Sequence, residues 1–206
     1  MNKKGLFITF EGADGCGKTT QIELLNNYLI SKGKDTILTR EPGARGLGVK
    51  LREILLNYDG DVSPNCESFL FLADRAQHVD CIIKPALEEG KIILCDRHTD
   101  STVAYQGYGR GLDIERINYL NNIATSGLKP DLTIVFDIDI ETSMQRVGKE
   151  KDRMESAGMD FFNNVRNGYL EIAKNEPNRV KVINSADSIN NIHKQVLELI
   201  NNLWQA

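Results

Sequence analysis

Short apolar runs recur along the chain, and within most of them the apolar residues are nearly continuous. Such runs are typical of strands that are covered on both faces of a parallel sheet. The predicted strands are Leu6–Phe10, Thr36–Thr39, Ile92–Cys95, Leu132–Phe136 and Val180–Ile183.

The segments between these runs carry apolar residues at helical spacing. Ile22, Leu25 and Leu29 share one face of a predicted helix, and similar stripes lie within residues 114–123 and 189–203. Alternating strands and helices predict an α/β fold in which right-handed crossovers place helices on both faces of the sheet. We therefore predict a three-layer sandwich with a five-stranded parallel sheet flanked by helices, formed by residues 1–206 as a single domain.

Two further features predict local structure. Ser63 followed by Pro64 is typical of a helix start, and we expect that helix to continue to Asp80. Pro85 should interrupt it and begin a second, shorter helix. The glycine-rich segment 41–48 and the charged segment 148–153 fit neither pattern, so we expect them to be surface loops at the carboxyl ends of strands.

Composition narrows the class of protein. The chain has 206 residues, of which 41% are hydrophobic and 26% are charged, as in ordinary soluble domains. Its net charge of −4 provides no basic field for nucleic acid, and no apolar run is long enough for a membrane span. The four cysteines form no CxxC pair, and no signal stretch opens the sequence. We therefore expect a cytoplasmic protein with neither nucleic acid nor membrane as its partner.

The strongest chemical signal is the segment 12–19, which reads G-x-x-x-x-G-K-T between the first predicted strand and the first predicted helix. Its backbone amides and the helix dipole favour a bound phosphate. We predict that Lys18 contacts the β and γ phosphates of a nucleoside triphosphate and that the Thr19 hydroxyl holds Mg²⁺. The alternative is a glycine-rich turn without a ligand. The predicted ATP-binding residues are Gly12, Ala13, Asp14, Gly15, Cys16, Gly17, Lys18, Thr19 and Thr20.

A P-loop by itself leaves the function open. The sequence contains no guanine-reading N-K-x-D and no L-S-G-G-Q, which argues against a GTPase and an ABC-type ATPase. Arginines remain to be explained beside strand ends and loops, above all Arg75, Arg97 and Arg153.

Further motifs follow the P-loop in order. They are Phe10–Thr20, Arg40–Gly43, Leu70–His78, Asp96–His98, Ser101–Gly107, Lys129–Asp131 and Asp152–Glu155. In this combination the chain resembles the thymidylate kinase family over nearly its whole length. The resemblance implies transfer of the γ-phosphoryl group of ATP to dTMP with Mg²⁺ as cofactor, giving dTDP for dTTP biosynthesis. It also implies a mobile lid, about residues 146–158, and a homodimer.

The resemblance assigns an acceptor site. Phe71 would stack on thymine and Arg75 would donate to its O4 atom, and the two residues are four apart on one helix face. Phe71 could instead be plain core, because apolar residues surround it. Asp14 would bind the 3′-hydroxyl of the acceptor sugar, while Tyr105 and Gln106 would line the pocket for deoxyribose and base.

The motif after the third predicted strand implies the phosphate and metal contacts. Asp96 would be a partner of Mg²⁺, and Arg97 would clamp the acceptor phosphate. His98, where many relatives have tyrosine, is given no chemical role.

The lid is where the sequence departs from the family pattern. Gly15 occupies the place where some members carry a catalytic arginine, so a lid cation should neutralise the transferring group instead. The candidates are Arg146, Lys149, Lys151 and Arg153, among which we favour Arg153 and then Arg146 as catalytic residues.

Two rival functions remain at this point. A deoxynucleoside kinase would phosphorylate a nucleoside hydroxyl and would not need an arginine for an acceptor phosphate. A P-loop switch or scaffold protein would bind ATP without releasing ADP in response to an acceptor.

Overall fold

The computed structural model describes residues 5–146 and 158–205. Within these residues the strands form one five-stranded sheet in the order β2-β3-β1-β4-β5, and every neighbouring pair is parallel. The strands are β1 (Leu6–Glu11), β2 (Thr36–Arg40), β3 (Ile92–Asp96), β4 (Leu132–Asp137) and β5 (Val180–Asn184). The predicted fold class is confirmed.

Every strand begins where the apolar run predicted and ends one residue later. The additional residues are all polar: Glu11, Arg40, Asp96, Asp137 and Asn184. An apolar pattern stops before them, although the backbone remains in the sheet. They lie at the carboxyl ends of parallel strands, the edge at which ligands bind in open α/β sheets.

Helices connect the strands. The α-helices of the described residues are α1 (Lys18–Ser31), α2 (Leu47–Asn57), α3 (Pro64–His78), α4 (Lys84–Glu88), α5 (Thr99–Thr102), α6 (Ile114–Thr125), α7 (Ile140–Arg146), α8 (Met159–Asn175) and α9 (Ile189–Gln205). Two π-helical segments, π1 (Val79–Ile83) and π2 (Val103–Gly109), follow α3 and α5. None of the described helices is long and apolar enough to cross a membrane.

The predicted helix start at residue 63 is confirmed. The Ser63 hydroxyl accepts a hydrogen bond from the Cys66 amide (3.3 Å), and Pro64 is the first residue of α3. The α-helical pattern ends at His78 rather than Asp80, because the chain widens into π1. A short helix with Pro85 in its first turn follows, as predicted, but it continues directly from π1.

Apolar side chains cover both faces of the sheet. On one face α1 and α9 pack against Ile8, Phe10 and their neighbours. On the other face α8 and π2 form one cluster, and π1 and α4 form another that includes Phe7. Alternate residues of β1 thus enter opposite layers, as expected for a sheet between two layers of helices.

The segment 41–48 is only partly the surface loop that we expected. Glu41, Pro42 and Gly43 are buried, and only residues 45–47 are exposed; α2 begins at Leu47, and Gly48 is buried again. The prediction was wrong for its first half because Glu41 is neutralised by buried partners that the local sequence does not reveal. The segment 148–153 lies outside the described residues.

Candidate active site

The P-loop connects β1 to α1 in a backbone conformation that depends on glycine. Gly12 has a φ of 133°, and a Cβ there would lie 2.6 Å from the Phe136 carbonyl oxygen. Gly17, with a φ of 94°, is the N-cap of α1. The chain therefore passes tightly over the end of β4 before its amides open towards the helix N-terminus.

Lys18 lies at the start of α1 and folds back over this loop. Its Nζ atom donates to the carbonyl oxygens of Gly12 (3.1 Å) and Ala13 (2.9 Å). The ammonium group is thus held at the centre of the loop, where it can neutralise phosphate charge.

A cavity opens over the P-loop, and we call it the P-loop cavity. Its wall includes residues 14–21, Asp96, Arg146 and part of the segment 185–192. Seven of the nine predicted ATP-binding residues, 14–20, line it. Gly12 and Ala13 are not in the wall and contribute the carbonyl groups that hold Lys18.

A second cavity, which we call the arginine cavity, adjoins the first. It contains every predicted acceptor residue: Asp14, Phe71, Arg75, Arg97, Tyr105 and Gln106. The two cavities share Asp14 and Asp96. A ligand in one cavity would therefore meet a ligand in the other beside these two carboxylates.

Arg97 lies between the cavity and the sheet. Its backbone adopts a φ of 68°, which is unusual for a residue with a side chain. The guanidinium group donates to Asp14 (2.9 Å), Tyr169 (3.2 Å) and Ser101 (3.3 Å) and lies over the Tyr105 ring. These contacts hold the charge in one place at the cavity wall.

Asp14 is ionised at neutral pH. Burial alone would raise its pKa, but the charges of Arg97 and Lys18 prevail and lower the pKa to about 2. Its carboxylate can therefore accept hydrogen bonds from a ligand hydroxyl while it remains paired with Arg97.

Arg75 is only 1% exposed, and its hydrogen bonds fix its orientation. It donates to the Glu41 carboxylate (2.8 Å), to the His98 carbonyl (2.9 Å), and to Thr102 (2.8 Å) and Asn121 (2.7 Å). Glu41, which the sequence analysis did not select, also bonds the rings of His78 and His98. Burial would raise the pKa of Glu41, but Arg75 and His98 hold it well below its usual range.

The remaining acceptor candidates surround the same cavity. Phe71 is partly exposed and lines it together with Arg75, one turn further along α3. Gln106 is buried and donates to Glu67 (3.0 Å), which fixes its amide. The Tyr105 ring is buried under the Arg97 guanidinium, 5.0 Å from its centroid.

The two predicted metal ligands fit a hard cation. Asp96 Oδ1 is buried and has no hydrogen-bond partner among residues 5–146 and 158–205, which is costly for a carboxylate oxygen without a ligand. Thr19 lines the same cavity. The described part of the chain has no group of three or more acidic, His or Cys residues that could hold a metal alone. Mg²⁺ suits such a site, because it commonly takes one or two protein ligands and completes its shell with phosphates and water.

The predicted lid cations are only partly described. Arg146 is the last residue of α7, is exposed and borders the P-loop cavity. Lys149, Lys151 and Arg153 lie outside the described residues.

Sequence reasoning missed a buried cluster behind Arg97. Glu11, Ser101 and Tyr169 hydrogen-bond to one another there. Burial, reinforced by the nearby charge of Asp100, raises the pKa of Glu11 to about 7. The position of Glu11 could have indicated this role, since a carboxylate directly after an apolar strand and before a P-loop needs partners. The sequence gives no such indication for Tyr169, because it is 158 residues away from Glu11.

Together, the P-loop at the carboxyl edge of a parallel sheet and the adjoining arginine cavity define a P-loop kinase that acts on a phosphorylated acceptor. The sequence profile of thymidylate kinase matches residues 10–196. The chain belongs to the thymidylate kinase family.

Individual relatives agree with this assignment. The chain is 49% identical to a thymidylate kinase of Sulfurihydrogenibium sp., with 94% of this chain and 96% of the relative covered. It is 46% identical to a thymidylate kinase of Thermoanaerobacter sp., with 96% and 98% covered. A crystal structure of thymidylate kinase from Ehrlichia chaffeensis is 39% identical and superposes with a TM-score of 0.81 over 96% of this chain and 98% of that one.

Proposed function

We propose that this protein transfers the γ-phosphoryl group of ATP to dTMP and so produces dTDP for dTTP biosynthesis. One observation carries the proposal: a P-loop cavity and an arginine cavity meet at Asp14 and Asp96. If one nucleotide were bound in each cavity, their phosphate groups would lie next to each other.

The acceptor needs no general base. The second pKa of a phosphate monoester is about 6, so dTMP is mostly a dianion at pH 7 and its oxygen can attack directly. The protein then has to align two anions and offset their repulsion. Lys18 on the donor side and Arg97 on the acceptor side carry the charges for this task.

Mg²⁺ is the proposed cofactor, with Thr19 and Asp96 as the residues that would hold it. Bound there, it would neutralise phosphate charge beside Lys18. The Asp96 Oδ1 atom, which is buried without a hydrogen-bond partner in the described part of the chain, supports this assignment.

The nucleoside of dTMP is proposed to lie against Phe71, with Arg75 facing thymine O4. A guanidinium carries only donors, so it suits the carbonyl of thymine better than the amino group of cytosine. Tyr105 would exclude a 2′-hydroxyl, and ionised Asp14 would accept a hydrogen bond from the 3′-hydroxyl.

We assign the lid cation to Arg153 and, as second choice, to Arg146. Alanine at position 153 should lower kcat by about a hundredfold or more, as loss of a transition-state charge contact does. Arg146→Ala should lower kcat by a smaller factor, because Arg146 is exposed at the end of α7. The opposite ranking in the same assay would exchange the two assignments.

We also propose that the protein is a cytoplasmic homodimer. Neighbouring helices α3 and α6 expose large apolar side chains, namely Phe69 (51%), Tyr119 (66%) and Ile123 (57%). A second copy would cover this face. Light scattering after size exclusion should give twice the chain mass, and Tyr119→Glu should give the monomer mass.

The reaction is tested by a coupled ADP-release assay with ATP and Mg²⁺ against dTMP, dUMP, dCMP, UMP and thymidine. We expect the fastest turnover with dTMP. Turnover with thymidine but not dTMP would favour a deoxynucleoside kinase, and ATP binding without any acceptor-dependent release would favour a switch or scaffold protein.

A further inference from the structure

We propose that Tyr169 is a positioning residue that holds Arg97 in the orientation needed to bind the acceptor phosphate. The inference rests on the proposed function, because it concerns the phosphate site of dTMP. Tyr169 is 2% exposed and lies on α8, 72 residues away from Arg97 in the sequence. Its hydroxyl oxygen nevertheless lies 3.2 Å from Arg97 Nη1.

Arg97 depends on such support. Its guanidinium has one charged hydrogen-bond partner among the described residues, Asp14, whose side chain is 41% exposed. Asp14 binds the Nη2 atom. The Nη1 atom donates to two hydroxyl groups, those of Tyr169 and Ser101. Without the Tyr169 hydroxyl, only the 3.3 Å bond to Ser101 would hold Nη1 within the described site.

The Tyr169 hydroxyl is itself fixed. It donates to Glu11 Oε2 at 2.9 Å and lies 2.9 Å from Ser101 Oγ. Because its single hydrogen points to Glu11, its oxygen is left to accept from Arg97. The ring is fixed as well, since it packs edge-on against Tyr105 at 6.4 Å between centroids. Phenylalanine at this position would keep the ring contact and lose the bonds to Glu11 and Arg97.

The helix that carries Tyr169 packs closely against π2. A Cβ on Gly168 would lie 2.8 Å from the Tyr108 ring of π2, and a Cβ on Gly109 of π2 would lie 2.6 Å from the Phe161 ring of α8. The two elements therefore interdigitate at reciprocal glycines, one of them adjacent to Tyr169. This packing places the hydroxyl at a set distance from the sheet edge, and so from Arg97.

The test compares two ligands that differ only in the phosphate. Binding of dTMP and of thymidine to the full-length protein is measured by calorimetry for the wild type, Tyr169→Phe and Tyr28→Phe. For Tyr169→Phe we expect the Kd of dTMP to rise about tenfold or more, the loss typical of a hydrogen bond to a charged group, with the Kd of thymidine unchanged. Tyr28→Phe, a control on α1 away from both cavities, should change neither.

Equal weakening of both ligands would show that Tyr169 only supports the fold, and no change in dTMP binding would also overturn the inference. A second comparison uses Arg97→Ala: if Tyr169 acts through Arg97, adding Tyr169→Phe should cause no further loss of dTMP affinity. An additional tenfold loss in that background would contradict the proposal. If wild-type protein neither binds dTMP nor releases ADP with it, the proposed function fails instead.

Discussion

The two cavities are built in different ways, although they share one edge of the sheet. The P-loop cavity takes most of its chemistry from one contiguous segment, residues 12–20, and presents backbone amides and one lysine. The arginine cavity takes one or two side chains each from β2, α2, α3, the end of β3, α5 and π2. Its guanidinium groups are oriented by carboxylates from other elements, Glu41 for Arg75 and Asp14 for Arg97.

This difference determines how each cavity responds to mutation. A backbone cradle tolerates most side-chain changes and depends on a few glycines and on Lys18. A cavity of converging side chains depends on partners outside the cavity wall, such as Glu11 and the helix packing around Gly168. Changes in these supports should reach the acceptor site and spare the P-loop.

The largest effect is expected at Lys18. Lys18→Ala removes the charge at the centre of the P-loop, and we expect kcat to fall by about a thousandfold or more because the donor phosphates lose their fixed cation. Circular dichroism should show a retained fold. Lys32→Ala, at an exposed position just beyond the end of α1, is the matched control and should retain activity. If Lys18→Ala turned over as fast as the wild type, the P-loop would have no part in the mechanism.

Arg97→Ala addresses the other cavity. We expect kcat/KM for dTMP to fall by about a hundredfold or more, since the variant lacks the proposed clamp on the acceptor phosphate and Asp14 loses its hydrogen bond from Arg97. The Kd of ATP should change little if the two cavities bind independently. If Arg97→Ala weakened the binding of ATP and of dTMP equally, the two cavities would not bind their ligands independently.

Glu11→Gln tests the support behind Arg97 through stability. The raised pKa of Glu11, about 7 against an ordinary 4.5, means that the folded protein keeps a proton which the unfolded chain releases at lower pH. This carboxyl therefore lowers stability as pH rises from about 4.5 to 7. Glutamine cannot ionise, so the free energy of unfolding of Glu11→Gln minus that of the wild type should increase by on the order of 3 kcal/mol across that range.

Urea unfolding at pH 5 and pH 8 measures the Glu11 effect. Glu23→Gln, an exposed position on α1, is the control and should show a constant difference from the wild type. A constant difference for Glu11→Gln as well would mean that Glu11 is ionised throughout the range.

Gly168→Ala is expected to have the smallest effect. The added methyl group collides with the Tyr108 ring and should cost about 1–3 kcal/mol of stability through overpacking. We expect a higher KM for dTMP and an unchanged KM for ATP, because α8 carries Tyr169. Gly158→Ala, at the N-cap of the same helix, meets no atom of residues 5–146 and 158–205 within 4 Å and should leave both KM values unchanged. Equal shifts of both KM values in Gly168→Ala would indicate a general loss of structure.

The same contrast explains what the sequence could predict. Apolar runs identified the five strands of the described sheet. The inner strands β1, β3 and β4 are buried on both faces and are almost wholly apolar, whereas the edge strands β2 and β5 are partly exposed and were recognised from shorter apolar patterns. The P-loop was predictable because its chemistry is local. The helices α2 and α8 were not predicted from the sequence. The helix α8 could have been, because Phe162, Val165, Tyr169 and Ile172 form an apolar stripe at helical spacing. The helix α2 buries only Gly48 and Leu55, so its apolar pattern is weak.

Partners that meet only in the fold could not be predicted. Glu41 looked like part of an exposed loop, yet its buried bonds to Arg75 and two histidines connect β2, α3 and the end of β3. Tyr169 reaches Glu11 across 158 residues, and no spacing in the sequence encodes that contact. The family resemblance predicted which residues should face the ligand, and the structure adds side chains that contact those residues, such as Glu41 and Tyr169.

The central claim is that two nucleotides meet phosphate to phosphate across Asp14 and Asp96. The most direct test is competition with a single molecule in which adenosine and thymidine are joined through a chain of phosphates long enough to span both cavities. We predict that one molecule binds to each chain and that it inhibits competitively against both ATP and dTMP. Inhibition against only one of the two substrates would contradict it.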